Sequence, residues 1–304
     1  MMKSLQPIPQ CIDCLTSLAK DAAALADPAD SGLIAEAESI SRKVLAEAAH
    51  NEWSSPQIAN RILRQIRQLS GIADPYQDFK AREMDQARKV FSQLRDQVGK
   101  DLTSHVKLAA LGNSLDFFNN PVQALADVPH QFSNGIAFYR DNLAQLEEFL
   151  VNRPQRILYL TDNAGEIFFD IPLYDYLKHH CRQIFLVVKG GPSLNDLTRT
   201  ELHSAKLTDN FDAVADTGTD GAGIDWDRVS MEFLDLVASA DLIVSKGMAN
   251  FETLYPKSIS APSFYLFKVK CEPIQNYIQA PIDSFMALWK AGNQAVKSSG
   301  PENH

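Results

Sequence analysis

The chemistry of this chain concentrates where the apolar run Leu158-Tyr159-Leu160 breaks into Thr161-Asp162-Asn163-Ala164-Gly165-Glu166. A short buried strand that ends in Asp-Asn before a helix sets hard oxygen donors at the carboxyl edge of a sheet, where open α/β sheets bind ligands. Two later segments end in similar chemistry: Val188 through Lys189-Gly190-Gly191 to Asn195-Asp196, and Val244 through Lys246-Gly247 to Asn250 and Glu252. Taken alone, Asp162 and Asn163 are good helix N-caps. Asp196, closing a second loop after a second strand, shifts the reading toward a metal site. Asp162, Asn163 and Asp196 offer two carboxylates and an amide oxygen, which waters complete to an open octahedral set for a divalent cation. Such a site leaves positions for a substrate oxygen and an attacking water. Three converging loops of this kind point to an enzyme rather than a scaffold.

Lys246 ends an apolar run and precedes Gly247, whose backbone allows close approach of a ligand. An ammonium at that edge suits a phosphate oxygen, helped by the amides of the following helix turn, where Asn250 lies. The alternative is a solvated loop lysine, and for Lys189 a flexible Lys-Gly-Gly-Pro turn. Read as a set, Lys189, Asn195, Gly247 and Asn250 face the substrate. Glu166 and Asp170 lie four apart, hence on one helix face, and either can guide the proton of a water. Solvation of both is the alternative.

Other patterns narrow the class. Gly218, Gly221 and Gly223 have Gly-x-x-Gly-x-Gly spacing, which is not the dinucleotide fingerprint, and no Walker sequence is present. Asp162 does not open an Asp-x-Asp pair, because residue 164 is alanine. Cys11 and Cys14 form a lone Cys-x-x-Cys pair, which Cys271 approaches if the N-terminus folds back. Three thiolates make a soft accessory site quite unlike the Asp/Asn/Asp set, with plain structural packing as the rival reading.

These residues need a frame. Short apolar runs alternate with helical patterns after Arg153-Pro154: strands at Ile157–Leu160, Ile184–Val188, Ala213–Ala215, Leu242–Val244 and Phe264–Phe267, and helices at Glu166–His179, Leu194–His203 and Val229–Ala238. That alternation predicts a three-layer α/β/α domain on a mainly parallel sheet. Residues 10 to about 150 read as helical, with Leu33–Ala49, Pro56–Leu69 and Asp78–Val98 carrying apolar residues at three- and four-residue spacing. Ile282–Val296 reads as a closing helix. The expected division is an all-helical region over 1–105 and a catalytic α/β domain over 106–304, with Leu108–Phe118 already able to pack on the sheet.

The composition is that of a soluble globular protein, with 45% hydrophobic and 22% charged residues. A net charge of -9 argues against a nucleic-acid or anionic-membrane surface. The start lacks the apolar core of a signal peptide, no run is long enough to span a bilayer, and four cysteines fit a reducing compartment, so the expected location is cytoplasmic.

In order along the chain, these segments resemble the metal-dependent damage-control phosphatases, the ARMT1-like group once catalogued as a domain of unknown function. The resemblance runs through Cys11-x-x-Cys14, Asp74-Pro75-Tyr76 with Lys80, and Gly112-Asn113-Ser114-Leu115-Asp116-Phe117. It continues through Asp162 to Glu166, Asn195-Asp196, Thr217-Gly218, Lys246-Gly247 with Asn250-Phe251-Glu252, and Lys270-Cys271-Glu272-Pro273. The cysteines are similar to those of its prokaryotic branch. The resemblance implies a divalent metal on Asp162, Asn163 and Asp196, a phosphate contact from Lys246, and a site lined by Asn113, Asp116 and Glu166. Met248-Ala249 and Met84 depart from the pattern, where Gln-Gly and Asn are common.

The reading is therefore a hydrolase: a metal-dependent phosphatase for small phosphate monoesters such as sugar phosphates, using manganese, cobalt, nickel or magnesium. Attack by a metal-bound water or by Asp162 itself are both open. The rival classes are a nucleotide- or S-adenosylmethionine-binding transferase built on the glycine loop, and a non-catalytic metal-binding module. The expected partner is a small phosphorylated metabolite, without nucleic acid or membrane.

Overall fold

The computed structural model describes residues 9–51, 53–114 and 135–293. Three helices, α1 (Pro9–Ala26), α2 (Ser31–Asn51) and α3 (Ser55–Ser70), pack on one another around Leu15, Ala19, Leu33, Val44, Ile58, Ile62 and Ile66. Their apolar residues recur every three or four positions, so each helix buries one stripe in a core separate from that of the sheet. Two more helices, α4 (Gln77–Leu94) and α5 (Leu102–Ser114), lead toward the sheet, and α5 already packs against strand residues 263–268.

The described strands are β1 (Phe138–Asp141), β2 (Arg156–Leu160), β3 (Gln183–Val188), β4 (Val214–Asp216), β5 (Leu242–Lys246), β6 (Ser263–Lys268) and β7 (Phe285–Lys290). They form one sheet in the order β1-β7-β6-β5-β2-β3-β4, parallel throughout except for the β6–β7 pair. Alternate residues of each strand enter different cores. Ile157, Tyr159, Ile184, Leu186, Leu242 and Val244 face one layer, while Leu158, Leu160, Val187, Ile243, Tyr265 and Phe267 face the other.

The crossovers are α6 (Leu143–Val151), α7 (Ile167–His179), α8 (Arg199–Ser204), α9 (Met231–Ala238), α10 (Met248–Leu254) and α11 (Glu272–Ile278). The chain moves outward from β2 to β3 and β4, then returns to lay β5 and β6 on the other side of β2. That reversal opens a crevice beyond the carboxyl ends of β2 and β5, the usual ligand position in such sheets.

Three expectations from the sequence are corrected. Phe285–Lys290 is a strand, not part of a closing helix, because it pairs antiparallel with β6 over six residues and parallel with β1. Residues 294–296 of that proposed helix lie outside the described residues. β1 interrupts the stretch read as helical; it is a four-residue edge strand with little burial and no alternation to betray it. Leu194–Thr198 is loop, and α8 begins only at Arg199. Bridges from Asn163 to Asp196 and from Lys189 to Thr198 hold that loop extended. Thr198 then caps the helix, its N–H and hydroxyl donating to Glu201 Oε2.

Candidate active site

The loop after β2 and the loop after β3 are joined directly. Leu197 N donates to Asp162 O at 2.9 Å and Ala164 N donates to Asn195 O at 2.8 Å, so Asp162-Asn163 and Asn195-Asp196 lie side by side. Asp162 and Asp196 are both buried, 8% and 5% exposed. Burial pushes the Asp162 carboxyl well above the usual range, and Glu166 and Asp196 add to the push. Burial likewise raises Asp196, against the pull of Lys189. Lys189 Nζ stands 3.6 Å from Asp196 Oδ2, beyond hydrogen-bond length. The ammonium is held instead by Gly223 O at 2.6 Å and Asn250 Oδ1 at 3.0 Å.

A second cluster lies behind the first. Lys246, fully buried, donates to Glu166 Oε2 at 2.9 Å and to Asp170 Oδ1 at 2.6 Å. Burial works against its charge, but Asp170 and Glu166 more than offset that and push its pKa up. Burial raises Asp170 to about 6, with Lys246 pulling the other way. Glu166 Oε1 accepts from Asn113 Nδ2 and Asn163 Nδ2, each at 2.9 Å. Asn113 Nδ2 also reaches Asp162 Oδ2 at 3.0 Å, while its own oxygen accepts from Lys268 N at 2.9 Å. Gly247 has φ +82°, and a Cβ there would collide with the Asp162 carboxyl. Only glycine lets β5 turn into α10 against that group. Asn250, one turn into α10, donates to Thr161 O and Lys246 O at 2.8 Å and so ties the two strand ends together.

The site therefore gathers Asn113, Asp162, Asn163, Glu166, Asp170, Lys189, Asn195, Asp196, Lys246, Gly247 and Asn250 at one sheet edge. Asp116 lies outside the described residues. Lys246, placed by sequence reasoning against a phosphate, lies buried with its ammonium bonded to two carboxylates. Among the described residues, no three His, Cys, Asp or Glu side chains form a ready metal cage. A cation on Asp162 and Asp196 would thus draw its other donors from amide and water oxygens. The cysteines are all free. Gln10 Nε2 bonds Glu272 Oε2 at 2.8 Å, bringing Cys11 and Cys14 toward Cys271. Burial raises the Cys271 thiol to about 11, and Glu252, Cys11 and Cys14 contribute.

This arrangement has known relatives. The damage-control phosphatase ARMT1-like domain profile matches residues 8–284. The chain belongs to that family. A damage-control phosphatase of Archaeoglobus fulgidus is 32% identical over 292 residues, covering 92% of this chain and 97% of the relative. One from Pyrococcus horikoshii is 31% identical over 282 residues, covering 91% and 96%. A solved DUF89 family protein from Pyrococcus horikoshii superposes with a TM-score of 0.83 at 28% identity, covering 93% of this chain and 98% of that one.

Within this phosphatase family frame, two side chains near the site had no part in the sequence reasoning. Lys270, just past β6, is exposed, and its charge acts on Asp162 ahead of that of Lys189. The Lys-x-Lys-Cys-Glu-Pro segment was legible in the sequence, but only as a marker of resemblance. Glu83 comes from α4, is 2% exposed, and accepts from Asn195 Nδ2 at 3.2 Å. Burial raises its carboxyl to about 8, with Glu166 and Asp162 adding to the rise. Glu83 stands four residues before Ala87 and seven before Val90, so an acid on the apolar stripe of α4 was the signal that could have found it.

Proposed function

We propose that the chain is a metal-dependent phosphatase acting on small phosphate monoesters, with a divalent cation held by Asp162, Asn163 and Asp196. The observation that carries this is that backbone hydrogen bonds and a bridge set two buried carboxylates side by side, with only a loose ion pair from Lys189 to Asp196 at 3.6 Å. Two adjacent acids without a bonded counter-charge are raised unless a cation joins them. Asp196 Oδ2 also lacks a hydrogen-bond partner among the described residues. Hard carboxylate and amide oxygens suit manganese, magnesium, cobalt or nickel. A cation bound there would neutralise phosphoryl oxygens and lower the pKa of a bound water.

The chain's own residues divide the remaining work. Lys270 and Lys189 present positive charge beside Asp162 and Asp196, and Lys270 is the one open to an incoming phosphate. Glu166 commits both oxygens to Asn113, Asn163 and Lys246, so it orients the ligand loop rather than accepting a proton. Lys246 bonds Glu166 and Asp170 in a dry interior and pulls the Asp170 pKa down against the effect of burial. The loops after β3 and β4 line a cavity of about 450 Å³ through Gly190, Gly191, Gly218, Thr219, Asp220 and Arg228. Free thiols accord with a cytoplasmic setting, and no described helix is long and apolar enough to cross a membrane.

The glycine loop serves the transferase alternative poorly. Its amides at Gly218, Thr219, Ala222 and Ile224 are committed to Asp216, Thr217, Asn60 and Thr253, leaving few to cradle a cofactor phosphate. Hydrolysis of p-nitrophenyl phosphate and of a phosphometabolite panel, with each of the four metals, tests the reading. Asp162→Ala and Asp196→Ala should each lower metal-dependent phosphate release by roughly 100-fold or more. Undiminished release by either variant refutes the ligand assignment.

A further inference from the structure

Helix α4 belongs to the helical half of the chain, yet it sends buried Glu83 against the ligand loops and buried Lys80 toward the start of α8. Lys80 and Glu83 lie three residues apart on one helix face and are 1% and 2% exposed. Glu83 Oε2 accepts from Asn195 Nδ2 at 3.2 Å. The same side chain rests on the turn after Asn163 so closely that a Cβ on Gly165 would come within 2.8 Å of Glu83 Cγ. Lys80 Nζ lies 2.7 Å from Asp74 Oδ2 and 2.7 Å from Glu201 Oε1. The other oxygen of Glu201 accepts from Thr198 N at 2.9 Å.

Glu83 therefore touches the residue before Asp196 and the turn that follows Asn163, while Lys80 reaches the helix start just beyond Asp196. A carboxyl in this position is costly. It is dehydrated and it faces Glu166 and Asp162, with only Asn195 and the Gly165 backbone to offset that cost. If α4 needed only to fill space, an apolar side chain of similar volume would be at least as stable. The hydrogen bond to Asn195 and the close contact with Gly165 are what that apolar residue would not reproduce together.

We infer that Glu83 is a positioning residue which, braced by Lys80, fixes the spacing between the Asp162-Asn163 loop and the Asp196 loop and so sets the affinity of the site for a divalent cation. The inference rests on the metal-site reading above. It places a determinant of cation affinity in the helical region, outside all three strand-end loops.

The test is calorimetric titration of the metal-free full chain with Mn²⁺, alongside phosphate release at saturating Mn²⁺. Glu83→Met keeps the volume and removes the acceptor, and is chosen over alanine so that no cavity opens. It should weaken Mn²⁺ binding by about 10-fold or more, the usual effect of losing a group that orients a ligand, while kcat at saturating metal stays close to that of the native protein. Glu83→Gln, which keeps an acceptor oxygen for Asn195, should restore most of the affinity. Native-like Mn²⁺ affinity in Glu83→Met, or Glu83→Gln as weak as Glu83→Met, overturns the inference. So does a loss of kcat at unchanged affinity. If the native chain itself takes up no Mn²⁺, the metal reading falls and this inference with it. Native uptake left unchanged in Glu83→Met removes the role of Glu83 alone.

Discussion

Two clusters of charge lie side by side at the sheet edge, and they are built in opposite ways. Around Lys246 the charges are directly paired: one ammonium bonded to two carboxylates at 2.9 and 2.6 Å, all three side chains buried, with Asp170 Oδ2 left without a hydrogen-bond partner among the described residues. Around Asp162 and Asp196 it is open: two raised carboxyls, an ammonium 3.6 Å from one of them, and an acceptor oxygen without a partner among the described residues. On the proposed reading, the first cluster is a structural anchor and the second the cation site. Proximity to the crevice does not separate them; a directly bonded counter-charge does. A lysine at a strand end is the more conspicuous residue in the sequence, yet its charge is already used.

The largest test of the contrast is Lys246→Met. Removing one partner of a buried ion cluster leaves uncompensated charge and typically costs about 3–5 kcal/mol. Unfolding in urea should show a loss of that size at pH 7. The loss should shrink as pH falls toward about 6 and level off below it, because Asp170 without Lys246 holds its proton to higher pH than in the native chain. A variant that stays as stable as the native chain and loses only its affinity for phosphate esters would reverse the assignment and return Lys246 to the substrate.

Much of this geometry was legible from the residues. Strand-end positions for Asp162 and Lys246, and a loop position for Asp196, followed from apolar runs of three to five residues, because a buried parallel strand allows little else. The bond partners were not legible, since they depend on long-range closure: Lys246 meets Asp170 across 76 residues and Glu83 meets Asn195 across 112. Periodicity also failed where two periods fit the same residues. Phe285-Met286-Ala287-Leu288-Trp289 is apolar throughout, and its pairing with β6 decides for a strand. Asp162 and Asn163 look like caps to any local rule, and only their bridge to Asp196 separates the site from an ordinary helix start.

The open cluster has a signature in pH. Asp162, Asp196 and Glu83 are all raised in the folded chain, Glu83 to about 8. A carboxyl with a raised folded pKa prefers its proton when folded. Its contribution is full below the unfolded value near 4 and is lost as pH climbs through the folded one. The metal-free protein should therefore lose stability between about pH 4.5 and 8 from these groups, and Glu83→Gln should lose less. The gap between Glu83→Gln and the native chain should widen with pH to on the order of 3 kcal/mol, from a shift of a few pH units. Chemical denaturation of the metal-free chains at several pH values reads it directly. A constant gap would mean that Glu83 is already charged at pH 5.

Asp162→Asn sharpens the contrast further, because it should improve stability while removing function. The substitution relieves repulsion with Glu166 and Asp196, so the metal-free variant should be about 1 kcal/mol more stable than the native chain at pH 7. Excess Mn²⁺ should stabilise the native protein by about 2.7 kcal/mol at a hundred times its Kd and leave the variant nearly unchanged. Equal stabilisation of both chains by Mn²⁺ would move the cation away from Asp162.

The smallest effect is expected at Lys270, and it bears on which cation meets the substrate. Lys270 is exposed and close enough to Asp162 to influence it, while Lys246 is neither exposed nor free. Lys270→Met should leave unfolding within about 0.5 kcal/mol of the native value, as for most surface substitutions. It should raise KM for a phosphate monoester by roughly 10-fold, the loss of one charge-assisted contact. Added salt should weaken substrate binding by the native chain more than by the variant, because the lost contact is the one open to screening. Unaltered KM and salt response in Lys270→Met, together with a large KM effect in a folded Lys246→Arg variant, would exchange the roles of the two lysines.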